Sequence, residues 1–288
     1  MGLRINTQKT EIVIQTADPY QDIQFSINGE PLKIVPRFTY LGSIVSPSHN
    51  IDEDILNRIQ SASASFGRLR TRVFSNKNLK LSTKIAVYEA VCISTLLYGA
   101  ETWTPYRRHV KSLEAFHIRC LQRILGITWK DKIPHTQILQ QTNTLSIEAT
   151  LAKRQLRWVG HVKRMPEHRL PRRVLYGQLK DGQRSQGGQR KRFKDNIKST
   201  LKACNIQPAD LETLADNHPL WYASCASGVA HLEAARTSKR QEKRARRHQR
   251  QTESADDGPA FPCDVCGKVC RSRIGLHSHQ TTHQRLRR

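Results

Sequence analysis

Residues 51–69 read IDEDILNRIQSASASFGRL, and the class of the fold follows from this stretch. Asp52, Glu53 and Asp54 gather in a first helical turn, where carboxylates favour the positive end of the helix dipole. Ile51, Ile55, Ile59, Ala62, Phe66 and Leu69 then recur at steps of three or four residues, the spacing of one helix face. Downstream the same period continues. Ser82 is placed to cap a second helix with Ile85, Val91 and Leu96 on its apolar side. A third is expected from about Arg107 to Gly126, carrying Val110, Leu113, His117, Leu121 and Ile124. Ser146 opens a fourth through Leu151, Leu156, Val159 and Val162, ending near Pro166. Upstream the period changes to two. Glu11-Ile12-Val13-Ile14 favours a strand, Ile23, Phe25 and Ile27 alternate with polar residues, and Asn28-Gly29 is a hairpin-turn signal before Leu32 and Ile34. Residues 37–45, RFTYLGSIV, form another strand-like run. The expected class is mainly α with a small N-terminal β portion (α+β).

Composition separates this core from solvated regions. The 288 residues contain 48 Lys plus Arg against 24 Asp plus Glu, a formal charge of +24. Such an excess suits a polyanion, and nucleic acid leads because each neutralised phosphate releases counterions. There is no run of ~18 apolar residues to span a bilayer, and the N-terminal MGLRINTQKTEIV lacks the apolar stretch of a secretory signal. The expected partner is therefore DNA or RNA, with no membrane and no small-molecule substrate.

The cations cluster. Residues 153–198 hold 15 Lys or Arg against three acidic residues. Arg154, Arg157, Lys163 and Arg164 share a segment with Trp158, pairing phosphate contacts with a stacking face. LKDGQRSQGGQRKRF reads as a flexible basic loop, with Arg190, Lys191 and Arg192 abutting Phe193. A short amphipathic helix follows, with Phe193, Ile197 and Leu201. Residues 229–250 look helical and basic, and Arg240, Lys243, Arg244, Arg246 and Arg247 fall there, as a binding arm or a nuclear import signal. TESADDGPAFP reads as a linker.

The last segment carries ligands at metal spacing. In FPCDVCGKVCRSRIGLHSHQTTH, Cys263 and Cys266 lie two residues apart across a turn, and His279 and His283 lie one helical turn apart. Two thiolates and two imidazoles complete a closed tetrahedral site, so one structural Zn2+ is expected. Cys270 reads as a small core residue, and His277 remains an alternative to His279. The segment resembles the two-cysteine two-histidine (C2H2-type) zinc finger family. The resemblance puts Phe261 and Leu276 at two of three core positions, with Cys270 where a large aromatic is usual. It puts the base-reading positions at Ser272, Gly275 and Ser278, a weak set, while Lys268, Arg271 and Arg273 suit phosphates.

The rest also carries a resemblance. GLRINTQKTEIV (2–13), FTYLGSIVS (38–46), LLYGAETW (96–103), RCLQRILGITW (119–129), RWVGHVKRMP (157–166) and GGQRKRFKD (187–195) resemble, in order, the C-terminal part of reverse transcriptases from non-LTR (LINE-type) retrotransposons. The resemblance covers about residues 1–220. It implies palm-derived strands and a hairpin at 1–50, with Lys9 matching a lysine near the incoming nucleotide and Tyr40, Leu41 and Gly42 in a primer-gripping hairpin. A helical thumb-like region at 51–145 and a basic connector at 146–222 follow. A basic helix (223–252), a linker (253–260) and the finger (261–283) complete the expected organisation.

Nucleotide transfer needs two metals held by aspartates, and the family's aspartate motifs lie upstream of the matched region. The only Asp-Asp pair, Asp256-Asp257, sits in the linker. The expectation is a truncated retroelement product without polymerase activity of its own. Its rivals are a piece of a larger RNA-directed DNA polymerase and a protein–protein interaction module. His117 and Cys120, three residues apart on an apolar helix face, fit packing better than a catalytic pair. The odd count of seven cysteines, with only Cys263, Cys266 and Cys270 clustered and no secretion signal, points to a reducing compartment, the nucleus or otherwise the cytoplasm.

Overall fold

The computed structural model describes residues 5–14, 24–46, 51–177, 192–256, 261–270 and 272–286. It is mainly helical with four small two-stranded sheets among these residues. The chain divides into two compact units, Met1–Glu233 and Ala234–Arg288.

In the first unit, β1 (Glu11–Ile12) runs parallel to β4 (Lys33–Ile34). β2 (Ser26–Ile27) and β3 (Glu30–Pro31) form the hairpin expected at Asn28-Gly29. Asn28 and Gly29 have φ of 53° and 84°, the two positive values that a type I′ turn requires. The run at 37–45 is not one strand. It folds back as β5 (Phe38–Tyr40) and β6 (Ser43–Val45), turning at Leu41 and Gly42.

That hairpin is tied to α1 (Asp52–Leu69) by a buried polar junction. Asp54 does not simply face the helix start. It is buried, and its carboxylate accepts the Ile44 backbone N–H and the Trp103 Nε1–H, both at 3.2 Å. Arg58, one turn on, donates to Ser43 Oγ at 2.9 Å and lies over the Tyr98 ring. Asp52 instead joins α1 to α4 (Arg107–Leu125), accepting from Arg108 at 2.8 Å and from His109 at 2.6 Å.

The first core lies among α1, α2 (Leu81–Val87), α3 (Ser94–Leu96), α4 and α5 (His135–Thr142). A π-helical turn, Tyr88–Ile93, joins α2 to α3. The buried face of this stretch is Ile85, Tyr88, Cys92 and Leu96, at i, i+3, i+7 and i+11; Val91 faces out. Ser82 lies inside α2, and Lys80 stands at its start without a side-chain cap. Tyr88 is buried against Phe66 and Phe74 and donates its hydroxyl to His117 Nδ1 at 2.8 Å. His117 Nε2 reaches the Leu145 carbonyl at 3.2 Å, so both ring nitrogens are used. α4 ends at Gly126, whose φ of 72° reverses the chain.

α6 (Ile147–Lys163) is shared by two cores. Ser146 caps it as expected, accepting the Ala149 N–H at 3.2 Å. Ile147 and Leu151 face the first core, while Ala152, Leu156 and Val159 face a second. The second core is completed by α8 (Phe193–Ala203), by α9 (Leu211–Asp216) and by Trp221, Cys225 and Val229 of α10 (His218–Asp256). α7 (Leu170–Tyr176), between α6 and α8, contributes little to either. α10 runs through both boundaries expected for the basic helix, at 222/223 and 252/253.

In the second unit, β7 (Phe261–Pro262) pairs antiparallel with β8 (Val269–Cys270), and α11 (Arg273–Leu286) follows. This is the ββα order expected of the finger.

Candidate metal centre and nucleic-acid interface

The turn between β7 and β8 is built to present thiols. Cys263 N–H donates to the Lys268 carbonyl at 3.0 Å, and Gly267 N–H to the Cys263 carbonyl at 2.8 Å. This knuckle aims Cys263 and Cys266 at α11, where His279 and His283 sit one turn apart. The ligand atoms of all four residues lie within 4.8 Å of one another. Cys266 Sγ is 3.1 Å from His279 Nε2 and 3.2 Å from His283 Nε2, and the two Nε2 atoms are 3.1 Å apart. A tetrahedral zinc would space such atoms by about 3.3–3.8 Å, given its usual bond lengths. Cys266, His279 and His283 therefore fit one metal ion after shifts of a few tenths of an ångström, with Cys263 Sγ within 4.8 Å of each.

Local electrostatics favour the ligating forms. The backbone N–H of Val265, and then that of Cys266, hold the Cys263 thiol below its ordinary range, toward thiolate. Desolvation, with the neighbouring His283 and Lys268 charges, lowers His279 toward neutral imidazole. His277 is exposed and stands outside the group, so the geometry selects His279. Phe261 pairs across the hairpin with Cys270, and Leu276 is half-buried. Ser272 Oγ accepts the Gly275 N–H at 3.0 Å, which makes it the cap of α11.

The expected basic residues separate into two groups. Some are engaged within the fold. Arg154 donates to the Leu97 carbonyl at 2.8 Å, and Arg164 to the Ala215 carbonyl at 2.6 Å. Lys163 pairs with Glu212 at 2.9 Å and Asp216 at 3.3 Å. Others face solvent. Arg157 is exposed with its guanidinium 5.9 Å over the Tyr222 ring, and Arg192, Lys268 and Arg273 are exposed. Trp158 is half-buried beside His161. Arg190, Lys191 and Arg271 lie outside the described residues, as does most of the expected basic loop.

α10 carries the densest charge. Between Arg236 and Arg250 it has eight Lys or Arg and one acid, Glu242. At about 100° per residue, Arg236, Lys239, Arg240, Lys243, Arg244, Arg246, Arg247 and Arg250 all project within an arc of about 160°. Lys243, Arg244, Arg246 and Arg247 are exposed, and Arg240 is half-exposed. A basic half-cylinder has the charge arrangement that suits a row of phosphates.

The buried thiols lack the setting of a nucleophile. Burial raises Cys120 to about 12, Cys225 to about 12, and Cys92 and Cys204 to about 11. Sequence reasoning missed Tyr222, the partner of Arg157, and Lys194 and Lys198 of α8. The i, i+4 spacing of those two lysines is a signal that would have found them. No family model, curated protein or solved structure matches the chain.

Proposed function

We propose that this protein binds nucleic acid with little sequence preference and holds one structural zinc ion. The observation that carries the reading is the basic half-cylinder of α10 followed in the same compact unit by the Cys263, Cys266, His279, His283 group. Two soft thiolates and two imidazoles suit zinc, and four protein ligands leave no open coordination position. Zinc there would bind α11 to the β7–β8 hairpin, since the finger has few other apolar contacts to hold it.

The weak base-reading set supports low specificity. Ser272 is committed to capping, Gly275 has no side chain, and Ser278 discriminates poorly between bases. The ordered resemblance to non-LTR retrotransposon reverse transcriptases supports a retroelement-derived nucleic-acid binder. Under this reading the chain alone carries no polymerase activity, because its one Asp-Asp pair, Asp256-Asp257, falls in a Ser/Gly/Pro-containing stretch without the flanking apolar residues of a metal-holding strand hairpin.

A second reading concerns the finger. Ile274 is 84% exposed, with Val265 and Val269 also turned to solvent, and such aliphatic residues favour a protein contact over a phosphate. The test is a binding titration of the full chain against labelled mixed-sequence DNA and RNA, with and without zinc chelation, beside elemental analysis. The proposal expects one zinc per chain and binding to both polyanions. No zinc under reducing conditions, or no binding at low salt, would sink it.

A further inference from the structure

A groove of about 1150 Å³ lies in the first unit between α6, α7 and α8. Its walls are aliphatic and aromatic, with Trp158 and Val162 from α6, Val174 from α7 and Phe193 from α8. α7 leaves apolar side chains uncovered there. Leu170 is 68% exposed and Val174 is 71% exposed. The rim is cationic and comes from α8. Arg192 and Lys198 are exposed, and among the described residues neither has an ion-pair partner. Lys194 also lines the groove and reaches the Gly177 carbonyl at 3.4 Å. Lys194 and Lys198 are one turn apart on α8, about 6 Å along its axis. The one acid in the lining, Asp195, is turned onto the helix start, where it accepts the Arg192 N–H at 3.4 Å.

We propose that this groove takes unpaired nucleotides of a single strand, with bases against the apolar walls and phosphates along the α8 rim. The proposal rests on the nucleic-acid reading above and adds a site and a preference to it. The chemistry is selective for several reasons. An apolar interior gains nothing from a closed duplex, whose base faces are stacked away. A base, whose faces are open in a single strand, can leave water against Trp158 and the aliphatic walls. The rim charge is positive and lies on one side only, as a single backbone requires. A peptide fits less well. An apolar peptide would leave Arg192 and Lys198 unmatched, and an acidic amphipathic one would leave Trp158 without a polar or stacking role.

The test uses the full zinc-loaded chain, fluorescein-labelled dT20 and U20, and a labelled 20-base-pair mixed-sequence duplex. Two variants sit on exposed positions and leave the cores untouched. Val174→Glu places a carboxylate in the groove, and Arg192→Gln with Lys198→Gln removes the rim charge. The expected result is a loss of about tenfold in affinity for dT20 and U20 in each variant, with duplex affinity changed by less than about twofold. Unchanged single-strand affinity, or equal losses on strand and duplex, overturns the groove while leaving general nucleic-acid binding intact. If the wild-type chain binds neither strand nor duplex, the parent reading fails and the groove falls with it. If Val174→Glu instead abolishes binding of a Glu- and Leu-rich helical peptide and spares dT20, the groove is a peptide site and the proposal is overturned.

Discussion

Gly160, in the middle of α6, should be irreplaceable while Trp221 is present. A Cβ added there would lie 2.0 Å from Trp221 Nε1 and 2.4 Å from Cδ1. The indole cannot retreat cheaply. It is 2% exposed in the second core, and its N–H donates to the Leu156 carbonyl at 3.1 Å. Gly160→Ala therefore forces the ring aside, at about 1–3 kcal/mol for overpacking. Breaking the buried hydrogen bond costs about 1–3 kcal/mol more. Alanine's better helix propensity returns about 1 kcal/mol. The net expectation is a loss near 3 kcal/mol, or roughly 6–12 °C in Tm for a unit of this size. Urea denaturation of the full chain, followed by circular dichroism, measures it. The decisive comparison is the same substitution in a Trp221→Leu background. There the indole atoms that the added methyl would meet are gone, and Gly160→Ala should be neutral or stabilising by up to about 1 kcal/mol. A wild-type-like Gly160→Ala, or an equal loss in both backgrounds, refutes the packing argument.

Further outcomes are expected. In the folded, zinc-loaded chain, Cys92, Cys120, Cys204 and Cys225 are buried and Cys263 and Cys266 are ligands, which leaves Cys270 as the fast-reacting thiol. A thiol reagent should count about one fast cysteine, rising to about three on chelation; no change on chelation would deny the metal. Arg108, and also His109, hold the Asp52 carboxyl below its ordinary range. A depressed carboxyl stabilises above its unfolded value and loses that contribution as pH falls through its folded one. Asp52→Asn should thus cost under about 1 kcal/mol at pH 7, since the pair is partly exposed. That gap should close below about pH 4, and a gap that persists in acid would contradict the assignment. The chain alone should not extend a primer on RNA or DNA templates, and incorporation that survives repurification would show that other residues hold the metals.

The long periodic segments were legible because they bury one face. α1, α4 and α6 lie where the apolar spacing of Ile55, Leu113 and Leu156 and the cap at Ser146 predict them. The ligand group was legible because metal spacing is local to a turn and one helical turn. The rest depended on tertiary contacts. Tyr88 packs as a core residue although it is a phenol, because His117 accepts its hydroxyl proton. Val91 lies off the buried face. Asp54 looked like a helix-start carboxylate because sequence does not show that Trp103, distant along the chain, brings it an N–H. The basic residues of α6 illustrate the same limit. Charge marks Arg154, Lys163 and Arg164 as phosphate candidates, but carbonyls and carboxylates far along the chain in either direction claim them once the chain folds. Arg157, whose neighbour Tyr222 is exposed, stays available.

Nucleic-acid binding by the α10 cations is tested most directly by the salt dependence of affinity on duplex DNA. Lys239, Lys243, Arg244, Arg246, Arg247 and Arg250 are exposed, six cations on one half of the helix. If each neutralises one phosphate, log affinity should fall with log salt at a slope of about −5. The slope should be the same on unrelated sequences, and it should flatten by about 2–3 when Lys243, Arg244 and Arg247 become Gln. A shallow slope with strong discrimination between sequences would contradict the account and point to base reading by the finger or the helix.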